Sequence, residues 1–286
     1  MLEVVALLRR HVPDDTYRFP PATDFTGRNV YRASLLRLEN IERIHAESLR
    51  AGHLDGVIAF SKARALERLR AFDVAADAYR LAAERDATLR DDALASAAAC
   101  DAIAGALAHG PEPADPLAAD AAVARPDDAE RVTADLDERV ARLRVAVEGA
   151  PAHYRAIVAE EIERADVARA SWFEAMRFAL PDGHLRAVAE RQRVVERHAA
   201  SHRALRHTIE LANLYAALAR EYVAAVPPES LRFDPPKLRE LVDAATQLYQ
   251  RVAAHDGAPE KLEASRELEA FLAFTLQVDR DRFVPD

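Results

Sequence analysis

The positions of glycine and proline constrain this chain more than any other feature of its sequence. There are 8 glycines and 15 prolines among 286 residues, and of the glycines only Gly105 lies inside a run that otherwise looks helical. A helix interior disfavours glycine by about 1 kcal/mol and proline by about 3 kcal/mol, so the intervals between these residues are predicted to be helices. Because β-branched residues are sparse and never alternate with polar ones in a strand-like run, the sequence predicts an all-α fold.

These breaks divide the chain into ten predicted helices, some of them long. The interval 184–226 would extend about 65 Å as a single helix, at 1.5 Å per residue. Four residues recur along it at every seventh position, a spacing typical of the contact seam in a helical bundle. The residues on this seam are Val188, Val195, His202 and Ile209. The predicted helices are 2–11, 28–50, 54–70, 72–86, 90–109, 127–148, 152–180, 184–226, 236–255 and 259–280.

Proline-rich segments separate the predicted helices into regions. The segment GPEPADPLAADAAVARP combines several prolines with few large apolar side chains, which is typical of a linker. The helices before it have the length of helical hairpins, and those after it are longer. The sequence therefore predicts a short helix and Pro-rich arm over 1–27, a helical-hairpin region over 28–109, a linker over 110–126 and a bundle of longer helices over 127–286.

Residues 56–89, GVIAFSKARALERLRAFDVAADAYRLAAERDATL, have the pattern of two antiparallel helices. Small residues, Ala63, Ala75 and Ala82, stand where the helices would touch, and Tyr79 lies between the last two. This segment resembles one tetratricopeptide repeat, a helical hairpin of about 34 residues. The resemblance implies a non-enzymatic interaction or scaffold module that binds a peptide or partner protein through a helical groove.

The first helix of each such repeat lines the groove, and the resemblance therefore assigns partner binding to one face of the helix over 54–70. Two arginines, Arg64 and Arg68, lie one turn apart on this face and could hold a carboxylate-bearing peptide. Alternatively, both arginines pair with glutamates of the same chain. The residues assigned to the groove are Phe60, Arg64, Glu67 and Arg68.

Charge and hydropathy exclude some classes of partner. A formal net charge of −9, with arginines interleaved among acidic residues, argues against nucleic acid binding. No window reaches the roughly 18 uncharged apolar residues of a transmembrane helix, so membrane insertion is not expected. The sequence predicts a cytoplasmic protein, or an exported one if an N-terminal signal has been removed. Self-association and a role as a structural subunit of a larger assembly are both compatible with it.

Two histidine motifs could bind metal, but each is incomplete. Glu42 and His45 form a Glu-x-x-His pair, yet di-iron bundles use two such motifs and the sequence has no second one. His198 and His202 are one helical turn apart without an evident third ligand. We therefore predict no metal, no cofactor and no catalytic residue.

The single tryptophan and the single cysteine are further candidates. Trp172 lies in the densest aromatic cluster, which is either an aromatic core or an exposed anchor for a partner. Cys100 is expected to be buried as a small apolar residue. The competing functional interpretation is an enzyme or ligand-binding protein with a pocket among the C-terminal helices, near Trp172, His198 and His202.

Overall fold

The structure, a computed structural model, describes residues 30–111 and 128–281. These residues form ten α-helices and, within the two ranges, no β-strand, so the predicted all-α fold is confirmed. The predicted helix 2–11, the arm over 1–27 and linker residues 112–126 lie outside the described residues. The helices are α1 (Val30–Ala51), α2 (Asp55–Arg68), α3 (Phe72–Arg85), α4 (Arg90–Leu107), α5 (Ala129–Ala146), α6 (Tyr154–Ala175), α7 (Gly183–Arg197), α8 (Ala204–Ala225), α9 (Pro235–Ala253) and α10 (Glu260–Asp281).

The described chain forms two compact units. Unit 1 contains residues 30–111 and Thr133–Ile162, and unit 2 contains residues 128–132 and 163–281. The units do not coincide with the predicted helical-hairpin region and long-helix bundle, because most of α5 and the first part of α6 belong with α1–α4.

In unit 1 each helix from α1 to α4 packs against the next along the chain, as in a helical repeat. Ala63, Ala75 and Ala82 are fully buried where α2, α3 and α4 meet, and Tyr79 is fully buried beside them. This burial confirms the packing that the alanine spacing predicts. Small side chains allow the helices to approach closely, so the aromatic ring of Tyr79 fills the space that remains between them.

In unit 2 the interval 184–226 is not one continuous helix. α7 ends at Arg197, residues 198–203 form turns, and α8 begins at Ala204. The seam of seventh residues also fails, since His202 is exposed and Val195 is only half-buried. The side chains that α7 buries belong to Ala187, Arg191 and Val194.

Helices α8, α9 and α10 form the main apolar core of unit 2. α8 packs against both α9 and α10, and α9 packs against α10. The core combines small residues with two large aromatic ones, so these three helices repeat the packing principle of unit 1. Its fully buried members include Ile209, Ala212, Ala216, Ala245, Tyr249 and Phe271.

Candidate functional site

The groove residues assigned from the repeat resemblance share one face of α2, but they are not equally accessible. Phe60, Arg64 and Arg68 are half-buried, and the Arg64 guanidinium carbon lies 5.4 Å from the centre of the Phe60 ring. Glu67 is only 1% exposed. Its carboxylate points into unit 1, so in this conformation Glu67 presents no surface to a partner.

The Glu67 carboxylate is surrounded by four donors. Its Oε2 accepts hydrogen bonds from the hydroxyls of Tyr79 and Tyr154, both at 2.7 Å. Its Oε1 accepts from Arg64 Nη1 at 3.1 Å and lies 3.3 Å from His153 Nε2. Burial alone would raise the pKa of Glu67, but the hydrogen bond from His153 and the charge of Arg64 lower it to about 2. The buried carboxylate is therefore ionised at neutral pH.

The first part of α6 covers this face of α2. Arg68 Nη2 donates to Glu160 at 3.4 Å, and Arg70 binds Glu161 with two hydrogen bonds of 2.8 Å. Of the two alternatives for these arginines, the structure shows pairing within the chain: Arg64 and Arg68 each pair with a glutamate of the same chain. An acidic partner would have to compete with these intramolecular carboxylates.

Cys100 lies in the same buried region and is fully buried, as predicted. Its Sγ is 3.2 Å from the hydroxyl of Tyr154, which also lies 3.1 Å from the Ser96 carbonyl oxygen. Burial, together with the nearby charge of Glu67, raises the pKa of the Cys100 thiol to about 12. A protonated thiol without solvent contact is a packing group and a poor nucleophile.

Between α4 and α5, within unit 1, lies a groove of about 670 Å³. One wall is a stripe of exposed small residues on α4, and the other includes Ala141 and Val145 on α5. Val145 is 64% exposed and contributes apolar surface to the groove. The α4 stripe consists of Ala95, Ala98, Ala102 and Gly105.

Charged side chains line the α5 edge of this groove. They are Glu138, Arg142 and Glu148, and all three are exposed. Arg142 Nε donates to Glu138 at 2.7 Å, one helical turn away. Together with Glu148, these side chains give this edge a net negative charge.

Trp172 is part of the interior of unit 2. It is 9% exposed, and its ring meets that of Phe173 edge-to-face at 5.1 Å. Phe173 and Met176 are also buried, whereas Phe178 is 66% exposed. Of the two alternatives for this cluster, the structure has the aromatic core, and Trp172 offers little surface to a partner.

In unit 2, His198 and His207 each contact a carboxylate of α6, and their rings lie edge to face with centres 6.4 Å apart. His198 Nε2 lies 3.0 Å from Asp166 and His207 Nε2 lies 2.7 Å from Glu163, whereas His202 is exposed. Within the described ranges, no three residues among His, Cys, Asp and Glu are arranged to hold a metal ion.

The side chains of the other candidate metal motif, Glu42 and His45, also have different surroundings. Glu42 accepts hydrogen bonds from Lys62 at 2.9 Å and Arg85 at 3.4 Å. His45 is exposed and sits at a kink in α1, where its backbone has φ −120° and ψ 25°. The two side chains therefore belong to different surroundings.

Several residues that organise these clusters have no sequence signal that distinguishes them. Tyr154, at the start of α6, reaches Glu67 over 87 positions, with His153 in the turn just before it, and Glu163 reaches His207 over 44 positions. Acidic residues recur along the alanine-rich α6, but a sequence cannot separate buried acidic side chains from solvated ones.

No protein-family model, curated protein or solved structure matches this chain. In the part of the chain that the structure describes, no helix combines the length and the apolar character needed to cross a membrane.

Proposed function

We propose that this chain is a non-enzymatic protein-interaction module, which binds a helical segment of a partner protein in the groove between α4 and α5. The observation that supports the proposal is the groove itself, about 670 Å³ in volume and lined mainly by alanine and glycine. The resemblance of residues 56–89 to a tetratricopeptide repeat adds support, since such repeats bind other proteins.

The small side chains favour a helical partner. Packed helices have axes 8–10 Å apart, and the shorter distances require small residues at the contact. A Cβ added to Gly105 would have no heavy atom within 4 Å, so the wall at this point borders open space. Large apolar side chains of a partner helix can occupy the space that Ala98 and Ala102 leave, with Val145 as the opposing apolar contact.

Charge favours a basic partner. Arg142 is already paired with Glu138, which leaves Glu148 to interact with a cation. The whole chain carries a formal charge of −9, which would accelerate the approach of a positively charged segment. The proposed ligand is therefore an amphipathic helix with lysine or arginine beside its apolar face.

Under this proposal the α2 face has a supporting role. Phe60, Arg64 and Arg68 contact residues of their own unit, and the two arginines hold glutamates of α2 and α6. A folded Arg64→Ala/Arg68→Ala variant should therefore retain partner binding. Loss of binding in that variant, with the groove intact, would indicate that the partner binds at the α2 face.

Site-specific photo-crosslinking can identify the ligand and its position together. A benzophenone amino acid is introduced at Ala102 in the groove or, as a matched control, at Ala156, an exposed alanine of α6 outside the groove lining. We expect crosslinks to one basic helical segment from position 102 and none to that segment from position 156. Equal crosslinking from both positions would contradict the proposed location.

The crosslinked segment is then synthesised and its affinity measured by calorimetry. Ala102→Arg places a bulky cation in the groove, so we expect affinity to fall at least about tenfold, equivalent to about 1.4 kcal/mol. Ala156→Arg has the same change in charge and size outside the groove and should bind as the wild type does. Unchanged affinity of the folded Ala102→Arg variant would refute binding in this groove.

A further inference from the structure

His207, near the start of α8, is a buried imidazole with a carboxylate facing each ring nitrogen. It is 1% exposed, and its Nε2 is 2.7 Å from Glu163 Oε1 on α6. Its Nδ1 is 3.7 Å from Glu210 Oε2 and has no hydrogen-bond partner within the described residues. A neutral imidazole that donates from Nε2 would direct the Nδ1 lone pair towards the Glu210 carboxylate, which is repulsive. An imidazolium makes both contacts attractive.

The negative charge of Glu163 is balanced by the His207 imidazolium, whereas the nearby carboxylate of Asp166 has other cations beside it. Its Oε2 accepts a hydrogen bond of 2.7 Å from Ser201 Oγ, which is neutral. Among the described ion pairs, His207 is the cationic group that contacts Glu163. By contrast, Asp166 contacts Arg193 and Arg197 as well as His198, so its charge is balanced without a histidine proton.

We propose that His207 is a pH-sensitive switch, whose protonated form holds the turn over 198–203 against α6 and whose deprotonation releases that turn. The geometry connects the turn and the start of α8 to α6. Ser201, inside the turn, and His207, in the first turn of α8, bind the two oxygens of the same Glu163 carboxylate. Without a proton on His207, Glu163 and Glu210 are two buried or half-buried carboxylates on either side of a neutral ring.

The surrounding charges determine how far the release extends. Glu210 is paired with Arg191 at 3.0 Å and with Arg206 at 3.7 Å, so its charge stays balanced when His207 loses its proton. We therefore expect local opening of the turn and of the start of α8, with the rest of unit 2 folded. The charged and titratable groups around His207 are Glu163 and Asp166 on α6, Arg191 on α7, His198 and Arg203 in the turn, Arg206 and Glu210 on α8, and Glu263 on α10, paired with Arg206.

The direction of the pH effect follows from the balance of burial and charge. Burial alone would lower the pKa of His207, but its hydrogen bond to Glu163 and the charges of Glu163 and Glu210 raise the pKa above 6.5, its ordinary value. A group with a raised pKa stabilises the folded form fully below its unfolded pKa, and this contribution is lost as pH rises through the folded pKa. The turn is therefore closed in mild acid and opens towards alkaline pH.

Hydrogen exchange of the full chain tests the switch directly. Exchange of backbone amides over 198–210 is measured from pH 6 to pH 9 and corrected for the intrinsic dependence of exchange on pH. We expect the opening constant of the wild type to rise several-fold over this range, and that of His207→Gln to change less than about twofold.

His202→Gln is the matched control, because it removes an exposed imidazole from the same turn. It should show the pH dependence of the wild type. Parallel behaviour of His207→Gln and the wild type would refute the switch. If His207→Gln does not fold, NMR titration of the wild type decides, and a His207 midpoint at or below 6.5 refutes the proposal.

Discussion

Replacing Glu67 with glutamine should destabilise unit 1 far more than its conservative chemistry suggests. The Glu67 carboxylate is surrounded by four hydrogen-bond donors, those of Arg64, Tyr79, His153 and Tyr154. The residue is 1% exposed. The glutamine oxygen can still accept from Tyr79 and Tyr154, but its amide group then faces Arg64, which cannot accept a hydrogen bond. Breaking a buried pair by removing one charge typically costs about 3–5 kcal/mol.

Two features of the structure set the expected size of this effect. The Arg64 side chain is 24% exposed, so water can partly replace the lost carboxylate and reduce the cost. Independently, lowering the pKa of Glu67 from 4.5 to about 2 corresponds to about 3 kcal/mol of stability. We therefore expect Glu67→Gln to cost about 2–4 kcal/mol at pH 7.

The pH dependence gives a second, independent measurement. A carboxylate with a lowered pKa stabilises the folded state above its unfolded pKa, and this contribution is lost as pH falls through the folded pKa. The wild type should therefore lose about 3 kcal/mol from this group between pH 5 and pH 2. Glu67→Gln lacks the titrating carboxylate and should lose correspondingly less over the same range.

Urea unfolding followed by circular dichroism measures both effects. The sole tryptophan, Trp172, belongs to unit 2, so its fluorescence provides a reference outside the mutated unit. Glu42→Gln is the matched control, because Glu42 pairs with Lys62 at 2.9 Å but its side chain is 31% exposed. Because both side chains are partly in contact with water, the pair should contribute less than about 1 kcal/mol. Equal costs for the two variants would refute the assignment of Glu67 as a buried charge centre.

Two further predictions concern the buried residues of α3 and α4. Ala75 is fully buried between helices, so Ala75→Leu should overpack the contact and cost about 1–3 kcal/mol. Thermal unfolding at the wild-type temperature would show that the hairpin packing is misassigned. Cys100 is fully buried and its pKa is raised to about 12, so Ellman's reagent at pH 8 should modify it only after denaturation. Rapid modification of the native protein would contradict the described burial.

The helices could be predicted from the sequence because glycine and proline mark most of their ends. Apart from the interval 184–226, every predicted helix within the described residues has one counterpart. The break over 198–203 has no glycine or proline, so no local signal opposes a helix there. Instead, tertiary contacts favour the turn, since α6 offers Asp166 to His198 and Glu163 to Ser201.

The candidate sites were harder to predict because charged residues do not reveal their burial. The repeat resemblance placed Glu67 on the same face of α2 as Arg64, and the structure keeps them together at 3.1 Å. What the sequence cannot show is that residues of α6 cover this face. An arginine-rich helix face predicts a binding surface whether its carboxylates come from a partner or, as with Glu160, from the same chain.

The groove between α4 and α5 owes its shape to a contact at the C-terminal end of α4. Arg139, fully buried on α5, donates to the carbonyl oxygens of Leu107 at 3.0 Å and Gly110 at 2.8 Å. Gly110 has φ +74°, a backbone conformation that favours glycine, and a Cβ there would lie 2.9 Å from the side chain of Leu136. Beyond this contact the facing side chains are mostly alanine and too short to fill the space between the helices. The same small residues that make α4 a good helix thus leave apolar surface that no other side chain among the described residues fills.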